Sequence, residues 1–260
     1  MSQTKAQLLN PLGELSSSDV TVNSISIGKG ANSVTGNTVL GQSALDAAVS
    51  GGNNTAIGHS TLSALTSGTQ NTAVGRNALI LNTTGANNTA IGMDTLSGNV
   101  SGSGNTAVGL AALLVNTGDN NVAVGLFCMD ANTSGEQNTA IGRGSLGANT
   151  SADNNVAVGF SALAANTTGE QGVGVGSLAG SAVTTGNRNT FIGYASGQST
   201  TTGDDNTAVG RGTFSNNSTG EDNVAIGMGA LHASQTGDHN TAVGKSALTA
   251  ATTADHNTAV

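Results

Sequence analysis

Aromatic residues make up only 2% of this 260-residue chain and charged residues 8%, with one proline, one cysteine and no tryptophan. Without large side chains an ordinary globular core cannot be assembled, since such cores rely on aromatic and bulky aliphatic volume. One cysteine excludes an intrachain disulfide framework and argues against zinc ligation. Lys and Arg total 7 against 15 acidic residues, for a net charge of −8, and the basic residues form no cluster. That balance excludes a nucleic-acid surface. No segment reaches the ~18 apolar residues of a membrane helix, so no membrane insertion is expected. The opening Met1–Pro11 lacks the apolar run of a secretory signal. Synthesis in a cytoplasm without export by the general pathway is therefore the expectation.

What the chain has in abundance is glycine, 39 residues of it, and a phrase, N-T-A-(V/I)-G, that returns every 17 residues. The first Asn of the phrase falls at Asn37, Asn54, Asn71, Asn88 and Asn105, then after one 16-residue step at Asn121, Asn138 and Asn155. It continues through Gly172 to Asn189, Asn206, Asn223, Asn240 and Asn257, making 13 units and the start of a fourteenth. Self-similarity at a fixed period is the mark of a solenoid or fibre. Its thin core is filled a few side chains at a time by stacked coils. The regular placement of apolar and β-branched residues argues against disorder.

Numbered from the Asn, position 4 is aliphatic and position 5 is Gly in all 13 units, and position 2 is Thr nine times and Val four times. A β-branched outline at 2 and 4 with Ala at 3 reads as a short strand ending at a glycine corner, with 2 and 4 on the inward face. Position 8 is always small. Position 9 is Leu in nine units, which predicts a second short strand or extended segment carrying Leu inward. Gly at position 15 in 11 units suggests a turn residue with positive φ. Two or three inward apolar side chains cannot offset ordering ~17 residues at ~1–2 kcal/mol each, so stacking is obligatory and association of chains is expected. At the ~4.8 Å spacing of neighbouring strands, 13 coils make a rod of about 60 Å. The spacing fits neither hexapeptide helices nor G-G-x-G-x-D calcium coils nor heptads. The expected fold is all-β, a parallel β-solenoid or β-roll.

Eight of the acidic residues fall at position 16 (Asp119, Glu136, Asp153, Glu170, Asp204, Glu221, Asp238 and Asp255), a row read as a solvated turn because no unit supplies a calcium ligand set. Position 6 alternates long apolar with basic residues: Arg76, Met93, Leu110, Leu126, Arg143, Phe160, Tyr194, Arg211, Met228 and Lys245. A basic stem can lie over the same surface as an apolar side chain, and these ten residues are expected to pack across a boundary between chains. His239 and His256 should stack as turn residues. Cys128 fills a small position-8 slot as a buried apolar substitute. Ser, Asp and His recur everywhere, so no catalytic triad is singled out; no enzyme activity, metal or cofactor is expected. Gly172, Gly174 and Gly180 in one unit, with Phe191 and Gly197 in the next, predict size compensation and a local change in coil shape over residues 172–205. Residues 20–36, with Ser24–Lys29, read as an abbreviated capping coil. Residues 1–19, with Pro11 and Ser16–Ser18, read as an attachment segment or linker, and the repeat shaft covers 37–260. The stop at Val260 in mid-phrase suggests a native chain that continues, or a fragment.

The unit N-T-A-V-G-R-N-A-L-I-L-N-T-T-G-A-N, Asn71 to Asn87, resembles the repeat of fibre proteins of tailed bacteriophages, especially those of marine bacteria and cyanobacteria. Thr4–Leu8 (T-K-A-Q-L) is similar to the starts of such proteins. That resemblance implies a structural virion protein: a homotrimeric shaft of a tail, neck or head fibre, joined to the baseplate or neck by its N-terminus. A distal tip would contact the host receptor, and many members carry a self-cleaving chaperone; neither is seen in these residues. Asn53–Gly58 (N-N-T-A-I-G) is also similar to the head repeats of trimeric autotransporter adhesins, which need an export signal. An ice-binding solenoid is a third candidate, disfavoured by the expected inward direction of Thr at position 2.

Overall fold

The computed structural model describes residues 19–260, and these form a parallel β-solenoid of about 13 stacked 17-residue turns. The expected attachment segment, residues 1–19, lies outside the described residues apart from Asp19. Among the described residues one sheet of 16 strands runs in strict sequence order. It begins with β1 (Val20–Val22) and β2 (Ile25–Gly28). β3 (Thr38–Gly41), the three-residue strands from β4 (Thr55–Ile57) to β15 (Thr241–Val243), and β16 (Thr258–Ala259) follow. From β3 onward each strand pairs in parallel with the next, position for position: Thr55 with Thr72, Ala56 with Ala73, Ile57 with Val74. The start differs from the expected capping coil. β1 and β2 form an antiparallel hairpin, and β2 also runs antiparallel to β3. The Asp19 carboxylate anchors this hairpin by accepting the Lys29 and Gly30 N–H groups at 2.6 and 2.8 Å.

The predicted second strand is absent. Positions 6–11 make a run of turns in which 7 and 9 adopt left-handed backbone, as at Asn77 (φ 58°) and Leu79 (φ 52°). At roughly 1–2 kcal/mol per non-glycine residue the two together cost about 2–4 kcal/mol; full burial of a Leu returns about 1.5–3 kcal/mol, so the inward Leu offsets most of the cost and bonding between coils supplies the rest. The turns still bond from coil to coil: Leu62 N–H donates to the Ala78 carbonyl at 3.1 Å and Thr83 N–H to the Val100 carbonyl at 2.8 Å. Hydrogen bonds therefore run along the rod around much of the coil's perimeter.

The strand faces are the reverse of the sequence expectation. Ala at position 3 is buried, with Ala56, Ala73 and Ala90 at 0% exposure, while positions 2 and 4 point outward. The cause is the thinness of the coil. The strand packs directly on the turn run, and Leu of position 9 fills the space between; a Cβ built on Gly174 would lie 2.8 Å from Leu163 Cγ. At Gly174 even a methyl would press on Leu163, and in the other coils the slot holds Ala, with Val39 and Phe191 as the larger exceptions. Position 15 glycines are also explained differently: their φ is not positive, and a Cβ on Gly85 would come within 2.4 Å of the Gly102 carbonyl of the next coil. Close stacking favours glycine there, with Ala152 and Ala254 the two exceptions, and the left-handed turn falls at position 17, as at Asn87 (φ 59°).

Two columns of buried asparagine complete the interior. At position 1, Asn138 N–H and Nδ2 donate to Asn121 Oδ1 at 3.0 and 3.2 Å, and Nδ2 also reaches the Ala152 carbonyl at 2.8 Å. Asn155 then bonds Asn138 in the same way. At position 12, Asn132 and Asn149 each donate from Nδ2 to Oδ1 of the preceding rung at 2.6 Å. The 16-residue unit keeps the strands in register, with Thr106 beside Val122. Asn99 Oδ1, facing that shortened coil from the one before it, is a buried acceptor without a partner.

Residues 172–205 do not change coil shape. β11 (Val173–Val175) and β12 (Thr190–Ile192) keep length and register with their neighbours. Compensation is nonetheless real: the buried Phe191 ring occupies the volume of two missing leucines, since Cβ atoms on Gly180 and Gly197 would fall 2.7 and 2.3 Å from it.

Asn138→Ala removes a rung and strands buried donors, so it should lower the unfolding free energy by about 1–3 kcal/mol in urea titration. Phe191→Ala should cost about 3–5 kcal/mol, and Gly197→Leu alone should clash. The double variant should recover at least about 2 kcal/mol of their sum; strict additivity would refute the shared volume.

Candidate functional site

With 2 and 4 turned outward, the sheet presents a continuous face with two parallel ranks running its length. One rank is Thr or Val, from Thr38 to Thr258, and the other is Val, Ile or Leu, from Leu40 to Val243. Ile91, Ile141, Ile192 and Ile226 are each about 40% exposed. Because Ala occupies the inward slot, the larger apolar groups are those left on the surface, an inversion of the usual partition of side chains.

Beyond the glycine corner at position 5 runs the row of position 6, and its side chains stack on one another along the rod. Arg76 Nη2 lies 3.3 Å from Met93 Sδ and Arg211 Nη2 3.2 Å from Met228 Sδ. The Arg143 guanidinium sits 5.8 Å above the Phe160 ring, within cation–π range. Phe160 and Tyr194 are 47% and 56% exposed, and Leu126, Lys245 and Met228 are also exposed, whereas Leu110 is half-buried. In the Arg76, Arg143 and Arg211 contacts it is the guanidinium head that meets the apolar residue of the following coil.

Position 16 is exposed or half-exposed, and it has a bonding role that the sequence reading missed. The carboxylates of Asp153, Asp204 and Asp238 accept backbone N–H groups from the preceding coil at 2.7, 2.7 and 2.8 Å. Ser103 Oγ and Asn187 Oδ1 do the same in other coils. The shared requirement is a short acceptor, which the mixed residue types at this slot obscured. At position 17 Arg188 forms a two-pronged pair with Asp205, both contacts 2.7 Å, which holds the Asp205 carboxyl below the usual carboxylate range. The His239 and His256 rings stack at 4.8 Å.

The asparagine columns were the larger omission. Twelve of 13 units begin with Asn, a uniformity that composition alone does not require and that an amide ladder does. Cys128 is fully buried, its Sγ 3.2 Å from the Ala140 carbonyl, and burial pushes the thiol up to about 12. Among the described residues no three His, Cys, Asp or Glu side chains converge as a metal set, and no helix is long and apolar enough to cross a membrane. Comparison with known protein families, with curated proteins and with solved structures gave no match.

Cys128 should resist a thiol reagent at pH 8 in the native rod and react at once in denaturant, since its thiolate is roughly a thousandfold scarcer than that of a free cysteine. Cys128→Ser should be nearly silent in stability, because Ser145 and Ser196 fill the same slot and donate to the matching carbonyls at 2.9 and 2.8 Å. Rapid native labelling would contradict the burial.

Proposed function

We propose that this chain is the shaft of a homotrimeric phage fibre, a stiff spacer holding a receptor-binding tip away from the particle. The observation that carries the reading is the uncovered apolar strand face. Two ranks over a rod of about 60 Å make a strip on the order of 600 Å². The wholly aliphatic rank is about half of it, within the size range of the largest apolar patch on a typical monomer, and the strip as a whole approaches the ~800 Å² each partner contributes to a stable interface. Copies lying parallel along this face would bury the Val and Ile rank, with position 6 (Arg76, Met93, Phe160 and their neighbours) at its border. A rod of identical coils has no catalytic role in this reading. Its N-terminal side would join the virion. The same architecture would serve a trimeric bacterial surface adhesin; the phage reading rests further on the repeat and on the Thr4–Leu8 resemblance.

One observation favours a second reading. Thr at position 2 points outward, which removes the argument against an ice-binding face. Against it stand Val122, Val156, Val173 and Val224, which interrupt the rank, and the wholly apolar rank beside it.

Sedimentation equilibrium separates these readings. A trimer has three times the 25.1 kDa chain mass, and Val158→Lys combined with Val175→Lys on the outward face should release monomers that keep their β circular dichroism. A native monomer that shapes ice would support the second reading and refute the first. Filaments on virions in electron micrographs, labelled by an antibody to this chain, would place the shaft.

A further inference from the structure

In an array of equivalent slots, departures confined to adjacent coils and gathered around one concavity are informative. Such a cluster occurs on the flank between rows 6 and 10, beside the border of the outward strand face. It is a groove of about 250 Å³ lined by Tyr194, Arg211, Gly212, Met228, Gly229, His232 and Ser246.

Its floor is bare for no steric reason. Gly212 and Gly229 occupy position 7 with φ +61° and +67°; a Cβ on Gly212 would meet nothing within 4 Å, and one on Gly229 only Ser246 Oγ at 3.9 Å. Other coils place Asn77, Asp94, Phe127 or Ser161 in the same left-handed slot. Gly144 is also bare, but its neighbours Phe127 and Ser161 are not; 212 and 229 are the one consecutive glycine pair at this position.

The walls carry chemistry. Tyr194 is the chain's single tyrosine, and it is exposed. The Arg211 guanidinium, like that of Arg143, has no carboxylate partner among the described residues; it bonds Met228 Sδ, whereas Arg76 and Arg188 are paired with aspartates. His232 is the one histidine at position 10. Its Nδ1 is engaged by Ser215 Oγ at 2.7 Å and the Gly212 carbonyl at 3.2 Å, leaving Nε2 as the ring's open edge. A guanidinium, an imidazole edge and a phenol ring around a bare glycine shelf suit a compact anion with a ring face, the local guanidinium working against the chain's net charge of −8. The volume lies just below the ~300–1,000 Å³ of drug-sized sites, enough for a single ring.

We propose that this groove binds one acidic sugar residue, the carboxylate on Arg211, a hydroxyl on His232 Nε2 and the pyranose face against Tyr194. With one tyrosine and no tryptophan in the chain, intrinsic emission reports this groove alone. Titration of the full chain with sodium glucuronate should change Tyr194 emission saturably with a Kd on the order of millimolar, with glucose and inorganic phosphate each at least about tenfold weaker. Arg211→Gln should weaken glucuronate at least about tenfold. Gly212→Asn, which restores a residue the slot holds elsewhere, should abolish binding without changing circular dichroism, and Gly144→Asn should leave it intact. Equal response to glucose removes the charge argument, and equal response to phosphate removes the ring contact; either overturns the proposal. So does Tyr194 emission already shielded from acrylamide before sugar is added, the result if a neighbouring copy covers the groove.

Discussion

The amide of the position-1 asparagine is the interaction on which this solenoid depends. Each coil is too small to enclose a hydrophobic core, so the polar backbone at its corners lies in the interior and must find partners there. The Asn side chain answers this in both directions. Its Oδ1 accepts the N–H of the next coil, as Asn37 does for Asn54 at 2.8 Å, and its Nδ2 reaches a position-15 carbonyl, as Asn54 does for Gly68 at 3.0 Å. Glycine at 15 and 5 follows from the same closeness, since a methyl at either would sit within 3 Å of the adjacent coil's backbone in nearly every unit. The asparagine ladder and the glycine columns are two sides of one constraint: neighbouring coils touch through their main chains.

That constraint also explains which parts of the fold were legible. The period, the strand at 2–4, the glycine corner at 5 and the inward Leu at 9 follow from residue type at fixed spacing, and all four are present. The direction of the strand faces was misread because Val or Ile at 4 and Thr or Val at 2 are larger than Ala at 3, and larger apolar groups ordinarily face inward. Phe191 shows the alternative rule at work: a large residue enters position 3 only where Gly180 and Gly197 have vacated the leucine volume. Inward volume is shared between positions 3 and 9, a pairing across the coil that spacing along the chain does not reveal.

The candidate site was legible in part. Position 6 stood out because basic and apolar residues share that slot, and within the chain Arg76, Arg143 and Arg211 each meet the apolar residue of the following coil. The outward apolar ranks were hidden by the reversed faces. The bare shelf at Gly212 and Gly229 was hidden by glycine's abundance: among 39 glycines, two that no neighbour requires look like the rest until the space above them is measured.

The asparagine column has one gap. Gly172 N–H donates to Asn155 Oδ1 at 2.8 Å, but the residue has no side-chain amide to offer Asn189. In a rod whose inter-coil hydrogen bonds lie along the axis, tension loads each junction's bonds together and the junctions one after another. Strength is then set by the weakest junction and not by the average. The coil that begins at Gly172 is that link, and the Phe191 ring wedged against its Gly180 is a plug of dispersion contacts where every other junction has a polar rivet. Pulled from its ends, the described solenoid would part there first, in the third quarter of its length.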